Sequence, residues 1–192
     1  MKFSPKAIII PTITLFIIAL LVAAALAGTN AITADKIKQV ELENEQASCY
    51  TVLNLDSADS KNSFGEKQSV DVDGTAYNYY VGSVDGKEVG YAFITGNNEG
   101  YGGAIKIVTG IDTEGNITGV YTLDISNETP GLGQNASGKF KDQFVGKADE
   151  NIAVNKDGGS IEAMSGATIT SRAVTNAVAT AVKAYNNVKG AA

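Results

Sequence analysis

The chain has 192 residues, with 15 Lys and Arg against 21 Asp and Glu for a formal net charge of −6. That length holds one domain of about 150 residues and an accessory segment, not two ordinary enzyme domains. It contains no His, no Trp and the single Cys49. The composition therefore excludes His-based hydrolase triads, His-ligated haem, His/Cys zinc sites and thiolate-held iron–sulfur clusters, so redox or metal chemistry has to come mainly from something bound. The acidic balance and the lack of a Lys/Arg run exclude a footprint for nucleic acid, and none is expected as a partner. One Cys cannot close an intramolecular bridge, and Cys49 reads as a small buried apolar side chain.

At the amino terminus, 28 residues without a formal charge separate Lys6 from Asp35, and Ala7 to Ala27 is a mostly aliphatic run of 21. A bilayer-crossing helix needs about 20 such residues. Pro11 comes early, and the Thr12 and Thr14 hydroxyls can bond back to the helix backbone, so both are compatible with a span. A cleaved signal peptide is the competing reading, with Lys2 and Lys6 as its basic region and Ala25-Leu26-Ala27 as its cleavage site. The run exceeds the usual apolar length of such peptides, which favours a retained anchor. Lys2, Lys6 and the amino group against Lys36 and Lys38 favour an inside amino terminus, with the chain exported from about Asn30. The span has no acidic residue to hold a cation, so no ion path is expected through it.

Residues 1–30 are thus read as a cytoplasmic terminus and anchor, and residues 31–68 as a helical stalk with a connecting loop. Thr33 is expected to cap the stalk helix of residues 33–50, and Asn54–Lys67 to be a surface connection. Residues 69–192 form the expected domain. Its β-prone runs are Ser69–Val72, Tyr77–Ser83, Val89–Thr95, Ala104–Ile111 and Ile117–Ile125, separated by turns at Gly74, Asp85-Gly86, Gly96-Asn97-Asn98 and Glu114-Gly115-Asn116. The last pair reads as a hairpin. Ser137 is placed as the cap of a short helix through Lys139–Val145. Ala173, Val174, Ala177, Val178, Ala181, Val182 and Tyr185 make one face of a terminal helix that should pack on the sheet. Strands first and helices afterwards argue for an α+β fold.

Two stretches carry candidate chemistry. In Glu162 to Arg172 (EAMSGATITSR), Thr170 or Ser171 is the expected helix cap, with Ser165-Gly166-Ala167-Thr168 as a compact turn beside it. Unpaired N–H groups and the positive end of the dipole make a helix start suited to an anion. Gly166 permits close backbone approach, the hydroxyls of Ser165, Thr168 and Thr170 can donate to phosphate oxygens, and Arg172 can add charge. Such residues are also ordinary caps and turns. In Asn127 to Gln134 (NETPGLGQ), Pro130 and Gly131 force a turn that places Leu132 beside Glu128 and Thr129, a mixed surface able to line a planar ligand. Gly100-Tyr101-Gly102-Gly103 reads as a turn or bulge, with Tyr101 able to stack on a ligand.

The SGAT turn with the following Ile169 to Val174, the Glu128–Gly133 ETPGLG loop, the GYGG turn with Ala104-Ile105-Lys106, and the anchor ending in Ala27-Gly28-Thr29-Asn30-Ala31 together resemble a known family. It is the FMN-binding domain found in the G subunit of Rnf-type electron-transport complexes and in the C subunit of the sodium-pumping NADH:quinone reductase. The likeness is nearer to the Rnf protein. The resemblance implies FMN carried by a phosphoester bond on Thr168, with Ser165, Gly166, Ala167, Thr170, Glu128, Thr129, Leu132 and Tyr101 around it. It implies a flavin transferase using FAD as donor, other Rnf-type subunits as partners, and a single-pass protein of the cell membrane with its domain on the extracytoplasmic side. The protein would relay electrons within an ion-translocating ferredoxin:NAD⁺ oxidoreductase. Glu162 stands where the family commonly has Asp. A tethered small-ligand-binding or adhesion module without redox chemistry is the alternative, and a hydrolase using Glu128 and Asp142 has no motif support.

Overall fold

The computed structural model describes residues 5–147 and 152–190; Lys2, part of the orientation argument, lies outside them. Contacts divide the chain into a helical unit ending at Glu43 and a folded unit starting at Asn44. One helix, α1 (Pro5–Val52), begins in the first unit and ends in the second. Thr12 and Thr14 donate to the carbonyls of Ile8 and Ile10 at 2.8 and 2.9 Å, as expected of hydroxyls in an apolar span. The span's large side chains, Leu15, Phe16 and Leu21 among them, are exposed, as lipid-facing residues must be when no protein covers them. Thr33 does not cap a separate helix. Its hydroxyl donates back to Thr29 at 2.9 Å inside the continuous α1. No proline follows Pro11 in the helix, and Gly28 alone does not stop it.

In the second unit six antiparallel strands form one sheet: β1 (Asn62–Phe64), β2 (Gln68–Val72), β3 (Thr75–Val84), β4 (Lys87–Asn97), β5 (Ile105–Asp112) and β6 (Ile117–Asp124). The order is β1-β3-β4-β5-β6, with β2 also paired to β3. Asp73-Gly74 and Asp85-Gly86 turn the β2–β3 and β3–β4 hairpins, both residues of each pair having positive φ (53° and 83°, 50° and 74°), the two-residue geometry that matches strand twist. The β5–β6 hairpin closes at Gly115 (φ 96°). There the Asp112 carboxylate accepts the N–H groups of Glu114 and Asn116, each at 2.9 Å. β1 lies within the segment read as a surface connection: its three residues are too few for an alternating pattern, and Phe64 is held through edge contacts with Tyr50 and Tyr80.

Both faces of the sheet are covered, and alternate residues serve them. Tyr79, Tyr91, Phe93, Ile107 and Ile111 join α2 (Thr168–Gly190), whose expected stripe from Ala173 to Tyr185 is buried in the same cluster. Tyr80, Ala92, Ile94 and Val108 meet Cys49, Val52 and Leu53 at the end of α1. Glycines make this second contact possible. A Cβ on Gly110 would collide with the Val52 carbonyl, one on Gly119 would lie 3.0 Å from it, and one on Gly90 would lie 3.0 Å from Leu53. Thr118 Oγ1 donates to that Val52 carbonyl at 2.5 Å. Buried Glu45 accepts from Lys67 Nζ at 2.6 Å, Tyr80 at 2.9 Å and Lys106 Nζ at 3.3 Å, tying the helix end to three parts of the domain.

Ser137 ends a 3-10 turn (Gly133–Ser137) instead of capping the next, and its hydroxyl donates to Gln134 at 2.8 Å. A second 3-10 turn, Lys139–Phe144, buries Phe140 and Phe144 edge to face. α2 begins before its expected caps. Thr170 and Ser171 are buried in its first turn, where Ser171 Oγ donates to Ala167 and accepts the Met164 N–H, both at 2.9 Å.

Candidate functional site: a cleft at the start of the last helix

A cleft of about 510 Å³ opens at the amino-terminal end of α2. Its walls come from four stretches far apart in sequence: Tyr101 from the GYGG turn, Glu128, Thr129 and Leu132 from the ETPGLG loop, Lys156 from a short 3-10 turn (Asn155–Asp157), and Gly166 to Thr170 from the helix start. Eight of the nine residues proposed from sequence are brought together there. Ser165 is exposed in the same turn but does not line the cleft. Asp142 is exposed in another turn, away from the lining.

The turn into α2 is tight. The Ala167 N–H donates to Met164 at 3.1 Å and the Ser171 N–H to Ala167 at 2.9 Å, while Gly166 has φ 74°, a conformation that favours glycine. The N–H groups ahead of Ser171 are left without intrahelical acceptors and mark an anion-binding end. Thr168, half-buried, is the first residue of the helix, and its Oγ1 accepts from Lys156 Nζ at 2.9 Å.

The second motif threonine is placed differently. Thr170 is 1% exposed and Glu128 2% exposed. Thr170 Oγ1 donates to Glu128 Oε2 at 2.5 Å, and Glu128 Oε1 accepts the Gly102 N–H at 3.0 Å. One carboxylate thereby joins the helix start, the ETPGLG loop and the GYGG turn. The glycines let these backbones meet: a Cβ on Gly102 would collide with the Asn127 carbonyl, and one on Gly100 or Gly133 would lie 2.6 or 2.5 Å from a Glu128 oxygen. Tyr101, Leu132 and Ile169 remain exposed at 70%, 44% and 48%, an apolar rim on a cleft with a polar base.

Arg172, expected to add charge to the helix start, forms a bidentate pair with Asp157 at 2.6 and 2.7 Å. That guanidinium holds the Asp157 carboxyl below its ordinary value. The cation that reaches the cleft is Lys156, which the sequence reading missed. Its only signal was a basic residue in the Asn155 to Gly159 turn upstream of the motif. Glu162 has an exposed side chain, and its backbone is held by Gln143 at 2.8 and 3.2 Å.

Residues 100–183 match the FMN-binding domain family, and residues 1–52 match the RnfG N-terminal region. The chain is 37% identical to the G subunit of the Na⁺-translocating ferredoxin:NAD⁺ oxidoreductase complex of Acetobacterium woodii, over 91% of this chain and 89% of that one. It is 34% identical to the G subunit of the proton-translocating ferredoxin:NAD⁺ oxidoreductase complex of Clostridium ljungdahlii, over 93% and 90%. It is likewise 34% identical to the G subunit of the ion-translocating oxidoreductase complex of Shewanella baltica, over 90% and 87%. With the cleft built from the FMN-binding region and the long apolar helix from the other, the chain belongs to the family of G subunits of Rnf-type complexes.

Proposed function

We propose that this protein is the membrane-anchored electron relay of an Rnf-type ion-translocating ferredoxin:NAD⁺ oxidoreductase, with FMN esterified to Thr168 and the folded unit on the extracytoplasmic side. The residues fit that group. The hydroxyl, the helix start and Lys156 suit a phosphate, and the rim of Tyr101, Leu132 and Ile169 suits a planar ring. When bound, FMN supplies the reversible electron acceptance that a chain without His, Trp or paired thiols lacks. The other subunits of the complex give and take the electrons, and a flavin transferase matures the protein. Attachment forms a bond between Thr168 Oγ and the FMN phosphorus of FAD and breaks that phosphorus's bond to the bridging oxygen. AMP leaves with that oxygen, and the hydroxyl proton is released. A covalent bond suits an exported domain, because a reversible cofactor would be lost to a large, flavin-poor volume by mass action.

The observation that carries this reading is the contrast between the two motif threonines. Thr168 lines the cleft with its Oγ1 facing Lys156, whereas Thr170 Oγ1 is buried and bonded to Glu128. Intact mass and peptide mapping test it after co-expression with a flavin transferase. The wild type should gain one FMN less one water on Thr168, Thr168→Ala should gain nothing, and Thr170→Ala should still be modified. An unmodified wild type, or a Thr168→Ala protein that still gains the mass, overturns the reading. Fusion of a reporter active only outside the cytoplasm to the carboxyl terminus tests the topology, and an inactive fusion refutes it.

A further inference from the structure

The likeness to known proteins concerns the FMN-binding region as a whole and assigns no role to the loop that precedes the SGAT turn. That loop is closed on itself. The Asn155 N–H donates to the Ile161 carbonyl at 2.6 Å, the Ile161 N–H to Ala153 at 3.1 Å, and the Gly159 N–H to Val154 at 3.0 Å. Gly158 takes φ 85°, and a Cβ on Gly159 would collide with the Ala153 carbonyl, so the paired glycines are what allow the chain to turn back this sharply. The loop is then fastened to α2 by the bidentate Asp157–Arg172 pair. Lys156 sits next to Asp157, and Arg172 is one helical turn beyond Thr168. The clasp therefore sets the base of the Lys156 side chain opposite the Thr168 hydroxyl, where Nζ donates at 2.9 Å.

Three features single out this ammonium. It is the one cation lining the cleft among the described residues. It has no carboxylate partner among them, whereas Arg172 is matched by Asp157. Glu128, the carboxylate that lines the same cleft, already accepts from Thr170 and Gly102. An ammonium whose partner among the described residues is a neutral hydroxyl gains little where it stands. It gains more once an anion is joined to that oxygen, since ammonium–phosphate hydrogen bonds are charge-assisted and shorter than neutral ones. The unpaired N–H groups at the start of α2 reinforce the same charge.

We infer that Lys156 is the phosphate-recognising residue of the attachment site: its ammonium receives the FMN phosphate as that phosphate is joined to Thr168, and the Asp157–Arg172 pair is the device that positions it. The inference rests on Thr168 being the acceptor. Lys156 takes no part in bond making, and its contribution is the neutralisation of charge on the transferred phosphoryl group. Asp157 and Arg172 act only through Lys156.

The test is single-turnover attachment on the full-length protein in detergent, using purified flavin transferase preloaded with FAD and present in excess, with intact mass followed against time. Lys156→Gln is expected to slow attachment about ten-fold, the size of one lost hydrogen bond to a charged group. Lys156→Arg keeps the charge and should recover most of the rate. Added salt should slow the wild type more than Lys156→Gln. Lys156 is exposed, so melting temperatures of both variants should equal that of the wild type. Attachment to Lys156→Gln at the wild-type rate overturns the inference, as does Lys156→Arg being as slow as Lys156→Gln, or a rate loss matched by a fall in melting temperature in both. A wild type that gains no mass instead defeats the reading of Thr168, so the two failures are distinguishable.

Discussion

Thr170 and Glu128 are 42 residues apart in sequence, yet the threonine hydroxyl donates to the carboxylate at 2.5 Å in a buried site. The bond is the junction at which the helix start meets both glycine-rich loops. Replacing Glu128 by Ala leaves the Thr170 hydroxyl and the Gly102 N–H without acceptors and opens a void, at a cost of about 2–4 kcal/mol. Thr170→Val removes one donor from the carboxylate and should cost about 1–3 kcal/mol. Denaturant melts of the full chain in detergent measure both, and the order of the two losses is part of the expectation.

Thr109, in the middle of β5, is fully buried and its hydroxyl has no hydrogen-bond partner among the described residues. A buried unsatisfied hydroxyl is a net cost that its methyl isostere removes. Thr109→Val should stabilise the folded unit by about 1 kcal/mol, raising its melting temperature by about 2–4 °C.

Gly110 faces the Val52 backbone so closely that an added methyl has no room. The neighbour is main chain held by Thr118 and cannot swing aside as a side chain would. Gly110→Ala should cost at least about 1–3 kcal/mol through overpacking. Gly28→Ala, with nothing within 4 Å of its new atom, is the matched control and should not lower the melting temperature.

Acid should weaken the far end of α2. Glu88 has its carboxyl held below the ordinary value, first by the Tyr91 hydroxyl that donates to it and then by Lys189. A depressed folded value means that this contribution is complete above the ordinary carboxylate range and disappears as pH falls through the folded value. The Glu88 and Lys189 side chains are 40% and 38% exposed, so solvent screening limits the effect to about 0.5 kcal/mol. Glu88→Gln, which resembles the protonated carboxyl, should lower the neutral plateau by that amount, meet the wild type in acid, and so flatten the acid limb of the stability profile. A wild-type acid limb retained in Glu88→Gln refutes the assignment.

What could be read from the sequence was what short-range pattern encodes. The turns at Gly74 and Asp85-Gly86, the β-prone runs of β4 and β5 and the apolar stripe of α2 all follow from local composition, periodicity and turn chemistry. The cleft was legible because most of its wall comes from compact glycine-rich motifs. Lys156 was not, because its contact with Thr168 depends on how a loop closes against a helix and leaves no mark on residue spacing. Thr33 and Thr170 misled as caps for one shared reason. A threonine can serve a helix end or bond elsewhere from within, and only the position of the next turn decides which. β1 escaped notice because three residues cannot show a period of two.

The docking of Cys49, Val52 and Leu53 on Tyr80, Ala92, Ile94 and Val108 bears on where a water-soluble version of this protein can be cut. The last turns of the anchor helix are a structural part of the folded unit and shield one side of its sheet. A truncated form beginning at Asn44 should stay monodisperse by light scattering, whereas one beginning at Asn54 should expose that aliphatic and aromatic surface and aggregate. The boundary between what the bilayer holds and what folds in water therefore falls inside a single unbroken helix.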